Sequence, residues 1–137
     1  MREKEVAAFR AKTGVRNLLE IPLRTDFPPV RRPKYEIPTV RPVLVVADEA
    51  DVARAGKIAD EWYDKGRPTL VVSPRKDDGA TDTAARRAED VLVAARYLSQ
   101  AVGGRSVVLI GVGSAIPCAT WAQTAEWPYF TSFFTEK

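Results

Sequence analysis

This 137-residue chain contains no histidine. Serine hydrolases nearly always use histidine as the base that takes the proton of the nucleophilic serine, so a Ser-His-Asp triad cannot form within this chain. The single cysteine, Cys118, excludes an internal disulfide and, with histidine absent, leaves carboxylates as the main candidate metal ligands. The sequence therefore predicts no metal site and no cofactor.

Long apolar runs are also absent, and no stretch approaches the roughly 20 apolar residues of a membrane span. The charged start at residues 1–6 lacks the apolar core of a secretory signal, so we expect a cytoplasmic protein with no membrane partner. The formal net charge is only +3, and no aromatic platform accompanies the densest basic cluster, Arg31, Arg32 and Lys34. These features argue against a nucleic acid partner.

Apolar runs and amphipathic patterns alternate along most of the chain. The runs at residues 43–47, 69–73 and 106–110 are typical of strands that are buried on both faces. Helical patterns follow at residues 48–65, from Thr81 or Asp82 to about Ala101, and at residues 115–125. This order predicts parallel strands joined by right-handed crossovers, and hence an α/β fold: a three-layer sandwich with a short, mostly parallel sheet.

The chain divides into two predicted parts. Residues 1–40 comprise a helix over residues 2–20 and a proline-rich segment from Pro22 to Pro38, which favours extended chain. This segment is either a strap across the domain surface, held by Phe27 and Tyr35, or a linker. Residues 41–137 comprise the α/β domain.

Two motif matches lack essential parts. Residues 48–51 spell the acidic signature of a helicase family, but no phosphate-binding loop precedes them. The pair Gly111 and Gly113 resembles a dinucleotide fingerprint, but Ile116 stands where the third glycine belongs. A tight turn between strand and helix explains these glycines without a ligand.

The turn Gly111–Ala115, directly after the third predicted strand, matches the nucleophile elbow of hydrolases better. Centring the pattern on Gly113 puts the small residues Gly111 and Ala115 at its flanks, but position 113 has no side chain that could attack a substrate. Centring it on Ser114 supplies a hydroxyl but puts a bulky residue at each flank. The steric requirement therefore favours Gly113 at the nucleophile position.

Residues 90–98 and 106–117, with the alanine-containing helix after them, resemble the acetyl-xylan-esterase and dienelactone-hydrolase-like branch of the α/β-hydrolases. Residues 42–47 are similar to the strand before the oxyanion loop of that family. For an intact member the resemblance implies ester hydrolysis, commonly of acetylated sugars. This chain departs from the family at the nucleophile position and in lacking the His-Gly oxyanion motif, and the strands that would carry the acid and the histidine would lie beyond residue 137.

We therefore expect a degenerate α/β-hydrolase-like domain without triad catalysis. If ester hydrolysis survives, Ser114 is the candidate nucleophile, and backbone amides at Ser114 and near Asp48 are the candidate oxyanion donors. The alternatives are a Rossmann-like module that binds a small anion or nucleotide at the turn formed by Gly111, Gly113, Ser114 and Ala115, or a subunit that a partner completes.

Aromatic residues crowd the end of the chain: Trp127, Tyr129, Phe130, Phe133 and Phe134. A sheet of three strands that ends at the elbow strand has an open edge. We expect this edge and the aromatic tail to meet, either within the chain or across a dimer, and we expect the tail to contact a second copy or a protein partner.

Overall fold

The structure, a computed structural model, describes residues 27–36, 40–76, 79, 83–125 and 130–137. Within these residues the elements are β1 (Val43–Ala47), α1 (Val52–Asp64), β2 (Thr69–Val72), α2 (Thr83–Ala101), β3 (Val107–Val112), α3 (Ile116–Thr124) and β4 (Phe130–Glu136). Short 3-10 turns at Glu49–Asp51 and Gly113–Ala115 lead into α1 and α3. The helix predicted over residues 2–20 and the capping residues Thr81 and Asp82 lie outside the described residues.

All four strands are parallel and form one sheet in the order β2-β1-β3-β4. Helix α1 covers one face of the sheet, and α2 and α3 cover the other. Successive residues of β1 point to opposite faces, so Val43 and Val45 pack towards α1 while Leu44 and Val46 pack towards α2. The continuous apolar runs follow from this burial on both sides, and the predicted three-layer α/β sandwich is confirmed.

Several element ends differ from the prediction. Strand β3 continues through Gly111 and Val112, which makes Gly113 the first residue beyond the strand. Residues 49–51 form a 3-10 turn, so α1 starts only at Val52. Val52, the first residue of α1, is 38% exposed.

The described part of the proline-rich segment, residues 27–36, lies against the α/β domain. Arg31 and Thr69 exchange backbone hydrogen bonds of 2.9 and 3.0 Å, and this antiparallel bridge covers the outer edge of β2. The Phe27 ring lies 5.1 Å from the Tyr97 ring of α2. Tyr35, expected to hold the strap down, is instead 81% exposed, because it stands in a turn at residues 34 and 35.

The aromatic tail supplies a fourth strand where the prediction had three. Strand β4 pairs with β3, so the open edge and the tail meet within the chain. Phe130 and Phe133 pack against the core beside α3, and the Phe134 ring lies 6.0 Å from the Trp62 ring on the opposite face. Trp127 and Tyr129 lie outside the described residues, and association through the tail stays a prediction.

None of the described helices combines the length and the apolar character needed to cross a bilayer.

Candidate functional site

The carboxyl ends of the parallel strands bring polar residues to one edge of the sheet. Asp48 directly follows β1, and Ser114 is the second residue after the end of β3. In a sheet of this order, the crevice between β1 and β3 is the point where neighbouring connections leave towards opposite faces, which is where ligands of open α/β sheets bind. The two side chains meet there, since Ser114 Oγ donates a hydrogen bond of 2.5 Å to Asp48 Oδ2.

A buried arginine of α2 holds this edge together. The side chain of Arg87 is 6% exposed. Its Nη2 donates to Asp48 Oδ1 at 2.7 Å, and its Nη1 donates to the backbone carbonyl of Arg75 at 2.6 Å. A buried guanidinium needs such partners, because an unpaired charge is costly away from water. Arg87 therefore ties the end of β1 to the segment that follows β2.

Asp48 is held in its ionised form. Burial alone would raise the pKa of Asp48, but the hydrogen bond from Ser114 and the hydrogen bond and charge of Arg87 outweigh it, so the pKa lies below the usual 3.8. A carboxylate of low pKa is a weak base at neutral pH, and it does little to activate the Ser114 hydroxyl.

A second ion pair stands beside the first. Arg75 donates through Nε and Nη2 to the two carboxylate oxygens of Asp90, at 2.9 and 2.8 Å, and its backbone N–H donates to Asp90 Oδ2 at 2.9 Å. The Asp90 side chain is 10% exposed and that of Arg75 is 47% exposed. The pair fixes the course of the chain where it leaves β2.

Two cavities flank the segment Ser73–Arg75. One, of about 450 Å³, opens towards Asp48 and Arg87. The other, of about 550 Å³, lies towards Phe27 and Val91. Both fall within the size range of small-molecule sites, and both combine apolar walls with a few charged groups.

Glycine is required both at the end of β3, at Gly111, and in the turn that follows it, at Gly113. A Cβ on Gly111 would lie 2.9 Å from the Ala119 Cβ, so α3 packs too closely on β3 for any side chain there. Gly113 has a φ of 56°, in the left-handed region, and a Cβ on it would meet the carboxylate of Asp51. Ala115 is fully buried and Ser114 is exposed. These are the steric conditions of a tight turn from strand to helix.

Sequence reasoning singled out Asp48 and Ser114, which the fold brings together, but it missed Arg87, Arg75 and Asp90. The signal for Arg87 was its position four residues before Val91, on the inward stripe of the helix. A charged residue on such a stripe needs a buried partner, but the sequence does not say which one.

Cys118 is buried on α3, and burial raises the pKa of its thiol to about 11. The thiol is therefore a poor nucleophile at neutral pH. Among the described residues, no group of three or more carboxylate or thiol side chains converges to hold a metal ion. Asp77, Asp78 and Asp82 lie outside the described residues.

No protein-family model, curated protein or solved structure matches this chain. The relationship to α/β-hydrolases therefore stays a prediction, and function has to follow from the chemistry of the site.

Proposed function

We propose that this protein is an α/β-hydrolase-like domain that does not hydrolyse esters and instead binds a small ligand at the carboxyl edge of its sheet. The proposal is supported by the residues at the positions where a hydrolase has its nucleophile and its base. Gly113 stands at the nucleophile position, the neighbouring hydroxyl belongs to Ser114, and no histidine exists in the chain.

The hydrogen bond from Ser114 Oγ to Asp48 Oδ2 is the main support for the absence of ester hydrolysis. A serine attacks only when a base near the working pH can take its proton. Asp48 has a pKa below its usual value and shares its other carboxylate oxygen with buried Arg87. The pair is thus suited to fixing the crevice between β1 and β3 rather than to transferring a proton.

Purified protein is expected to hydrolyse p-nitrophenyl acetate no faster than Ser114→Ala or Ser73→Ala protein. Ser73 is a matched control, because it is also exposed at the carboxyl edge and its Oγ donates to the Ala47 carbonyl at 2.7 Å. The measurement is the initial rate and any burst of p-nitrophenolate. A rate or burst that Ser114→Ala removes and Ser73→Ala retains would mean that Ser114 is a working nucleophile, against the proposal.

The cavity of about 450 Å³ beside Asp48 supports the binding half of the proposal. Three cations line it, Arg75, Lys76 and Arg87, against the two carboxylates of Asp48 and Glu49. Both arginines are already paired with carboxylates, whereas the pair of Lys76 and Glu49 is exposed, so a small anion such as a phosphorylated metabolite can replace Glu49 at Lys76.

Nucleotides and sugar phosphates are expected to raise the melting temperature of the protein. A ligand at ten times its Kd raises the melting temperature of a domain of this size by about 4 °C. Lys76→Glu should abolish the shift, while Lys57→Glu, an exposed position on α1, should retain it. Equal shifts in the two variants would argue against binding at the carboxyl edge.

A further inference from the structure

A second polar surface lies at the opposite, amino edge of the sheet, where the strap passes the end of α1. Pro33, Lys34 and Tyr35 of the strap and Tyr63, Lys65 and Gly66 line a groove of about 450 Å³. The Tyr35 ring forms an open wall, because this residue is 81% exposed. We call the surface formed by Lys34, Tyr35, Tyr63, Lys65 and Arg67 the basic-aromatic face.

Each ring of this face stands close to a cation. Lys34 Nζ lies 5.6 Å from the Tyr35 ring centre, and Arg31 lies 4.4 Å from that of Tyr63. Lys65 and Arg67 lie 5.0 and 5.1 Å from the ring centre of the neighbouring Trp62. Such contacts hold positive charge beside aromatic surface while leaving the ammonium groups able to meet an anion.

The arginines of the strap and its lysine differ in their partners. Arg31 pairs with Asp60, and Arg32 pairs with Glu36 through its Nε and Nη2. Within the part of the chain that the structure describes, Lys34, Lys65 and Arg67 have no carboxylate at ion-pair distance, although Asp64 also lines the groove. The cations that remain for a ligand are therefore mostly lysines, which bind phosphates as point charges.

We propose that the basic-aromatic face binds single-stranded nucleic acid, with a base stacked on Tyr35 and neighbouring phosphates at Lys34 and Lys65. An exposed ring beside lysines fits an unpaired base and its backbone, whereas a duplex keeps its bases stacked inside. Arginine guanidinium groups bind the carboxylates of an acidic peptide best, because they can donate two parallel hydrogen bonds. Those of Arg31 and Arg32 already pair with carboxylates of this chain.

In the folded protein, aromatic rings do accompany the basic cluster of the strap. Along the sequence, no aromatic platform accompanies Arg31, Arg32 and Lys34. The bridge between Arg31 and Thr69 brings that cluster to the end of α1, where Trp62 and Tyr63 supply the missing rings. This surface lies at the other end of the strands from Ser114 and Asp48, so the inference is independent of the function proposed for the carboxyl edge.

The test is fluorescence anisotropy with labelled oligothymidylate and oligouridylate of about 12 nucleotides. Tyr35→Ala is expected to weaken binding about tenfold by removing the stacking surface, while Tyr35→Phe keeps affinity within about twofold. Lys65→Ala should weaken binding and lower the slope of log K against log salt by about 0.7. Lys57→Ala, which removes one exposed charge of α1 outside the basic-aromatic face, should change neither quantity.

Several results would overturn the inference. They are no binding to either oligonucleotide, equal affinity for a duplex of the same length, and equal loss of affinity in Lys57→Ala and Lys65→Ala. Full competition by polyglutamate would assign the face to acidic proteins instead. Because Tyr35 and Lys65 are exposed, melting curves of both variants should match that of the parent protein and separate lost binding from lost folding.

Discussion

Replacing Arg87 with methionine is expected to lower the free energy of unfolding by about 3 kcal/mol, as measured by urea denaturation. The substitution keeps much of the side-chain volume but removes the cationic partner of Asp48, whose carboxylate then keeps only the hydrogen bond from Ser114. It also leaves the Arg75 carbonyl without its hydrogen bond of 2.6 Å. The matched control is Lys76→Met at the same edge, where both partners of the ion pair are exposed, with side chains 85% and 79% accessible. That change is expected to cost less than about 0.5 kcal/mol.

The stabilisation that Arg87 provides is expected to depend on pH. Because the pKa of Asp48 is lowered in the folded state, the ionised carboxylate stabilises the fold above the usual value of 3.8, and this contribution is lost as pH falls through the folded pKa. The difference in stability between parent and Arg87→Met should therefore be largest near neutral pH and shrink as the pH falls below the usual pKa of 3.8. A difference that stays constant over this range would mean that Arg87 acts by packing alone.

Replacing Gly111 with alanine is expected to cost about 2 to 3 kcal/mol of stability, through overpacking between β3 and α3. The added methyl would lie 2.9 Å from the Ala119 Cβ and 3.4 Å from the Ile116 Cα, and neither atom belongs to a flexible side chain. Gly56 is the matched control. It lies inside α1 with no atom within 4 Å of an added Cβ, so Gly56→Ala should stabilise the protein by up to about 1 kcal/mol.

A compensating change distinguishes the clash from other causes. Ala119→Gly removes the methyl on the opposite side, at a cost of about 1 kcal/mol for glycine inside a helix. In combination with Gly111→Ala, it should recover about 2 kcal/mol relative to the sum of the single effects. Simple additivity of the two substitutions would show that the close approach of β3 and α3 is not what requires glycine at position 111.

The core strands were predictable from sequence because they are buried on both faces. The run at Val43–Ala47 is apolar at every position, and such a short continuous run is typical of a central parallel strand. Strand β4 was not predictable, since it forms an edge and mixes Thr131 and Ser132 with aromatic residues. Its place beside β3 depends on the whole sheet being present.

The candidate site was predicted only in part. The glycines at positions 111 and 113 predicted the tight turn, because glycine is the residue type that fits where no side chain can be accommodated. Nothing in the sequence links Asp48 to Ser114, or either residue to Arg87, since ion pairs between distant segments leave no local pattern. In the same way, the rings of Trp62 and Tyr63 become neighbours of the strap only through a backbone bridge.

The sequence by itself thus determined the alternation of strands and helices, the tight turn after β3 and the absence of a histidine-based triad. All three depend on local residue types and their spacing. Only the tertiary structure decided that the tail adds an edge strand to the sheet, that Asp48 binds Ser114 and Arg87, and that cations and aromatic rings share the amino edge. These arrangements join residues far apart in the chain, and the geometry of the sheet alone brings them within hydrogen-bond or stacking distance.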